Sequence, residues 1–193
     1  MFAEGTLIAP VFAVTAVSTP GRPPGPPLDE ARFELFYRKT SRKIWSYIYR
    51  MTGDATTADD LMQKTFYRFI RSNPTIADED HLRRYVYKTA TNLVFDHFRE
   101  AKRDRERSAL ELPVREFRAD RGDLRHDMMR VFVQLKPQER ALLWLAHVEG
   151  SSHEEIGDAL GVKTKSVKVM LFRARKRLGE LLTKKGLAPE GAR

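Results

Sequence analysis

Residues 151–162, reading Ser-Ser-His-Glu-Glu-Ile-Gly-Asp-Ala-Leu-Gly-Val, leave the chain few folding options. Ser152 can cap a helix starting at His153, and Glu155 three residues on can accept a bond from the cap's own backbone N–H. Ile156, Ala159 and Leu160 share the inner face of that short helix. Gly161 supplies the positive φ that a tight turn between two crossed helices needs. A second helix from about Thr164 completes a helix-turn-helix.

Stepping about 100° per residue along that second helix separates two faces. Val167, Met170, Leu171, Ala174, Leu178, Leu181 and Leu182 gather on the core side, while Lys168, Val169, Phe172, Arg173, Lys176 and Arg177 lie opposite. Between Lys163 and Lys185 stand nine basic residues and one acid. Such a helix suits phosphate, although a solvated cationic helix is the plainer reading of any charge run. Val169 and Phe172 favour the former: they are awkward on a free surface and useful in a major groove, where thymine methyls offer apolar contact. The candidate duplex-binding residues are Lys165, Ser166, Lys168, Val169, Met170, Phe172, Arg173 and Lys176.

The overall charge agrees. The 193 residues carry 35 Lys and Arg against 26 Asp and Glu, a net charge of +9 that suits a polyanionic partner, as it also does in ribosomal and membrane-surface proteins. With no cysteine, disulfide scaffolds, thiolate zinc sites and cysteine nucleophiles are excluded. No apolar run reaches the length of a membrane span, and Leu7–Val17 lacks the basic residue that precedes a secretory core, so the expected compartment is the cytoplasm. His81, His97, His126, His147 and His153 form no HExxH pair or acid-rich cluster, so neither a metal nor another cofactor is expected. No nucleophile elbow, phosphate loop or paired-carboxylate pattern appears, and no enzymatic activity is expected.

Helical periodicity runs through two blocks. Residues 1–28 end in the proline-rich run Pro20–Pro27 and read as a disordered tail. In the first block, 29–106, Asp29 is a plausible cap for a helix with Phe33, Phe36, Tyr37, Thr40, Ile44, Tyr47, Ile48 and Met51 on one face. Gly53 suits the left-handed residue that ends it. A second helix is expected from a capping-box-like start at Thr57 to about Ser72, then a loop up to Asp80, then a long helix from His81 to Glu106. Residues 107–122, with Pro113 and Gly122, read as a flexible linker. The second block, 123–183, contains helices at about 123–134, 137–148, 153–160 and 164–183, followed by a tail at 184–193. The expected fold is all-α: two small helical domains, a helical bundle and a helix-turn-helix domain, joined by that linker.

The first block adds two surfaces. On its second helix Leu61, Met62, Thr65, Phe66 and Phe69 face inward while Asp60, Gln63, Lys64 and Tyr67 project. On its third helix Arg84, Lys88, Asn92, Phe95 and Arg99 form an outer stripe. Two cations, an amide and an aromatic on one line could hold an opened strand by charge and stacking. Equally, Phe95 could pack beneath a neighbouring helix.

Taken together, these pieces resemble a sigma factor of the sigma-70 family, of the small extracytoplasmic-function (ECF) type that keeps regions 2 and 4. The resemblance covers about residues 29–104 and 123–183. It is carried by Thr52-Gly53-Asp54, by Ala58 to Phe66, and by Tyr85 to Asn92 with Asp96 and Arg99. In the second block it is carried by Leu135-Lys136-Pro137 with Arg140, by Glu149 to Ile156, and by Val167-Lys168 with Leu171 to Arg175. It implies a dissociable initiation subunit of bacterial RNA polymerase, with core polymerase (the β′ clamp helices and β flap), promoter DNA and an anti-sigma protein as partners. By position, core binding falls to Asp60, Leu61 and Gln63. Minus-10 melting falls to Arg84, Lys88, Asn92 and Arg99, with residues 73–81 capturing a flipped base. The helix from Thr164 meets the minus-35 element. Three positions depart from the family pattern: Lys64 replaces a usual acid, Tyr85 a usual tryptophan, and Val169-Met170 a frequent Ser-Arg pair. Without that arginine, readout should lean on shape, phosphate and apolar contact, giving an unusual promoter motif. The rival readings are a helix-turn-helix regulator that binds DNA without polymerase, and an adaptor whose first block binds a protein.

Overall fold

A computed structural model describes residues 29–72, 79–108 and 124–187. The proline-rich N-terminal segment, the linker beyond Ser108, residues 73–78 of the loop expected to capture a base and the last six residues lie outside the described part.

The first helix, α1 (Glu30–Thr52), begins where Asp29 accepts the Arg32 backbone N–H at 2.8 Å and ends at Gly53, whose φ of 74° is left-handed. Its buried stripe, Phe36, Thr40, Ile44, Tyr47, Ile48 and Met51, recurs every three or four residues, as the periodicity predicts. Helix α2 (Ala55–Arg71) starts two residues before the expected Thr57. Asp54 is its cap, accepting from the backbone N–H of Thr57 at 2.9 Å and from its hydroxyl at 2.7 Å. Thr57 is therefore the residue that is capped, and the chain re-enters helix directly after the left-handed glycine. Helix α3 (Glu79–Ser108) extends two residues past the expected span at each end.

These three helices enclose an aromatic cluster. Phe36 stacks on Phe69 with ring centroids 5.2 Å apart, Tyr37 meets Phe66 edge-on at 4.8 Å, and Tyr85 lies 5.8 Å from Phe69. A fully buried side chain of this size contributes roughly 1.5–3 kcal/mol. Tyr85 thus fills the position of the family's usual tryptophan as a half-buried core aromatic.

The second block comprises α4 (Leu124–Phe132), α5 (Pro137–His147), α6 (His153–Leu160) and α7 (Thr164–Lys184). Val131, Leu135, Leu143, Ala174 and Leu181 form a small core between α4, α5 and α7. The larger core is shared between the two blocks: Ile44, Tyr47 and Val94 belong to the same buried cluster as Leu142, Leu145, Ile156 and Leu171. Helix α5 lies against α1, and α6 lies against α3. Periodicity identifies each helix's apolar face but not the surface that covers it, so this docking of one block on the other was not readable from the sequence.

Candidate nucleic-acid interface

The helix-turn-helix forms as its residues dictate. Ser152 Oγ accepts the Glu155 N–H at 3.2 Å, and Glu155 Oε2 accepts the Ser152 N–H at 2.8 Å, closing a reciprocal cap. Gly161 ends α6 with φ 64°. Gly157 is a second required glycine that the sequence reading missed. A Cβ there would stand 2.9 Å from the Val162 carbonyl oxygen, a backbone atom that cannot move aside. The α6 backbone and the turn into α7 therefore meet with no room for a side chain.

On α7 the core stripe is buried or half-buried, and the opposite face is open. Val169 is 50 % exposed and Phe172 66 % exposed, flanked by exposed Lys165, Lys168, Arg173 and Lys176. Among the described residues these four cations make no ion pair, which leaves their charge available to an outside anion. Arg177 pairs with Glu180 at 3.4 Å, and Arg175 donates to His147 Nε2 at 3.2 Å. Two candidates sit elsewhere. Met170 is half-buried against the core because it belongs to the inner stripe, and Ser166 is half-buried in the first turn.

The α3 stripe is in a different condition. Arg84, Asn92 and Arg99 are exposed and Lys88 is half-buried, so all four point away from the bundle core. Phe95 is half-buried against the core, which favours the packing alternative over base stacking. Arg99 pairs with Asp96 one turn away. Arg84 Nη1 reaches Glu155 Oε1 of α6 at 2.9 Å, and neighbouring Arg83 lies 3.8 Å from Glu149. Burial alone would raise the Glu155 pKa, but hydrogen bonds from Arg84 and Ser152 outweigh it and hold the carboxyl below its ordinary range. Burial raises the Tyr87 phenol, helped by the Glu149 carboxylate beside it.

On α2, Asp60 and Gln63 are exposed, as a docking face requires. Leu61 does not belong with them: it is 5 % exposed and packs into the bundle, one helical step round from that face. Asp59 accepts the Trp45 indole N–H at 2.6 Å and ties α2 to α1.

Arg140 was recognised as part of the resemblance, without a role. It is buried where the blocks meet, donates from Nη1 to the Met51 carbonyl and lies over the Phe98 ring at 5.2 Å. Burial pushes its pKa down to about 10, so it remains a cation at neutral pH. Its partner is an orphan carbonyl in the last turn of α1, where the helix dipole also favours positive charge.

Two family models match the chain: "Sigma-70 region 2" over residues 36–104 and "Sigma-70, region 4" over residues 125–178. The ECF RNA polymerase sigma factor SigE of Mycolicibacterium smegmatis is 31% identical over 155 residues, covering 76% of this chain and 60% of that protein. RNA polymerase sigma factor CarQ of Myxococcus xanthus is 28% identical over 155 residues, covering 78% of this chain and 88% of that protein. The chain spans only part of some relatives, 50% of ECF sigma factor SigG of Mycobacterium tuberculosis among them. Among solved structures, the sigma factor RpoE in complex with the anti-sigma factor NepR from Bartonella quintana aligns with a TM-score of 0.64 at 21% identity. That alignment covers 78% of this chain and 96% of the other. CnrH in complex with the cytosolic domain of CnrY aligns at 0.59 and 18% identity, covering 81% and 90%. These two likenesses show the same helical fold.

Proposed function

The chain belongs to the sigma-70 family, and from that premise we propose that it is an ECF-type initiation subunit that directs core RNA polymerase to specific promoters. The observation that carries this reading is the outer face of α7, where exposed Val169 and Phe172 lie among cations that no carboxylate neutralises among the described residues. That face suits the major groove of a minus-35 duplex: Lys165, Lys168, Arg173 and Lys176 meet phosphates or base edges, and the two apolar side chains meet thymine methyls. Arg84, Lys88, Asn92 and Arg99 on α3 hold the opened minus-10 strand. Asp60 and Gln63 on α2 contact the β′ clamp helices, and the second block contacts the β flap.

The chemistry of initiation stays with the polymerase, and this chain contributes binding and strand separation. No described helix is long and apolar enough to cross a membrane. A subunit of this kind works in the cytoplasm. One solved neighbour was determined with an anti-sigma factor, and we place such a protein among this chain's partners as well.

Run-off transcription with core polymerase tests the proposal. The expected result is a defined start on a subset of promoter templates only when the chain is added. A chain that binds duplex DNA yet neither co-elutes with core enzyme nor confers defined starts would instead be a regulator independent of polymerase.

A further inference from the structure

The polar face of α2 consists of two rows rather than one. Asp60 and Lys64 stand one turn apart, as do Asp59 and Gln63, and all four are exposed. In the first row opposite charges stand four residues apart, so Lys64 offsets part of the Asp60 charge before any partner arrives. The second row lies on the α1 side and holds no cation. Asp59 makes no ion pair among the described residues, so its charge is the less compensated of the two.

The Asp59 carboxylate is nonetheless held in place. One oxygen accepts the Trp45 indole N–H at 2.6 Å. An indole has a single donor, so the second oxygen keeps its capacity for another partner. The indole is fixed in turn: it stacks on Tyr49 with ring centroids 5.0 Å apart and planes 9° from parallel, and it is half-buried against the core. Holding α1 to α2 does not require this bond. The Phe36–Phe69 and Tyr37–Phe66 ring contacts already join the two helices, and an exposed polar contact adds little to them.

We infer that Trp45 is a positioning residue for polymerase docking: its indole N–H holds Asp59 in one orientation beside Gln63, and the remaining carboxylate oxygen accepts a lysine or arginine of the polymerase. This rests on reading α2 as the polymerase-facing helix, and it makes Asp59, ahead of Asp60, the main anionic contact there. A side chain ordered in advance loses less freedom when its partner arrives. A carboxylate's bond to a cation is among the stronger hydrogen bonds, and salt weakens it while the pair is exposed. Removing the indole donor should therefore weaken docking although the charge of the chain is unchanged.

The test is a two-by-two set in the full-length chain: the parent, Trp45→Phe, Asp59→Asn and the two together, each titrated against core polymerase at several salt concentrations. Phenylalanine keeps a ring against Tyr49 and lacks the donor, while asparagine keeps the acceptor oxygen and lacks the charge. Asp60→Asn is measured beside them. Asp59→Asn should weaken core binding about tenfold and flatten its salt dependence, and Asp60→Asn should cost less. Trp45→Phe should cost about threefold with the net charge intact, and nothing further once Asp59 is replaced by asparagine. Equal losses from Trp45→Phe in both backgrounds would mean that the indole acts through the fold alone and would overturn the inference. So would a larger loss from Asp60→Asn than from Asp59→Asn, or an unchanged core affinity in Trp45→Phe. A chain that never binds core polymerase defeats the proposed function itself, whereas one that binds it equally well in every variant retracts only the positioning.

Discussion

The outer face of α7 and the outer stripe of α3 carry similar chemistry, cations and polar groups in line with an aromatic, yet they stand in opposite states. On α7 the aromatic is open and four cations have no carboxylate partner among the described residues. On α3 the aromatic is half-buried, Arg84 faces Glu155 and Arg99 faces Asp96. Neither state is written in the helix that carries it. The neighbour decides: α7 lies at the edge of its block, while α3 lies under α6.

The largest effect should come from the buried joint. Arg140→Ala removes a charged donor and leaves the Met51 carbonyl without its partner, a loss of about 1.5–3 kcal/mol. A urea titration should show one transition, shifted for both blocks, if they fold as a unit. Two separated transitions, with the first block unmoved, would break the comparison by showing that nothing durable covers α3. Arg140→Met leaves the same carbonyl unpaired but fills most of the space that alanine would empty, and should cost less.

Next in size is Arg173→Ala on the open face. If Arg173 reads a base edge, duplex affinity should fall by about 1–3 kcal/mol, whereas a phosphate contact would lower the salt slope by about one. Anisotropy titrations at several salt concentrations separate these outcomes. Thermal stability should stay put, and a parallel drop would point to damage in the fold instead.

Asp60→Ala combined with Gln63→Ala should weaken co-elution with core polymerase several-fold and leave duplex binding through α7 intact. Unchanged co-elution would remove α2 from the polymerase contact.

The smallest effect concerns acid. The Glu155 carboxyl is held below its ordinary range in the folded chain, so its contribution is complete above the unfolded value of about 4.3 and fades as pH falls through the folded one. Arg84 faces it from α3 and Ser152 from the cap of its own helix. The stability gap between the parent and Glu155→Gln should therefore narrow in acid. A gap that persists would detach Glu155 from Arg84.

Much of the architecture could be read before any coordinates because local chemistry determines it. Asp29, Gly53, Ser152, Glu155 and Gly161 act within a few residues of themselves, and each behaves as its residue type requires. Apolar spacing likewise identified the buried faces of α1, α2 and α7. Illegible features involve distant partners. The family resemblance grouped Leu61 with Asp60 and Gln63 as a polymerase contact, whereas its spacing put it on the inner face, and it is buried there. Met170 likewise was placed on the core side by its spacing yet counted among the duplex-binding residues, and it is half-buried against the core. Gly157 looks like an ordinary weak helix former until the Val162 carbonyl is seen against it. Glu155 was legible as a cap and silent about Arg84, since its second oxygen is engaged by a residue 71 positions earlier.

The guanidinium of Arg140 and the carbonyl of Met51 have one more consequence. A contact between two wholly apolar faces, once pulled apart, presents sticky surface that drives chains to aggregate. Here the parting surfaces include an arginine head and the open end of a helix, both of which water solvates readily. That polar pair makes the parting surfaces less prone to aggregate than a wholly apolar joint of the same size would be. Replacing that pair with well-packed apolar side chains would stiffen the molecule and make each separation more hazardous.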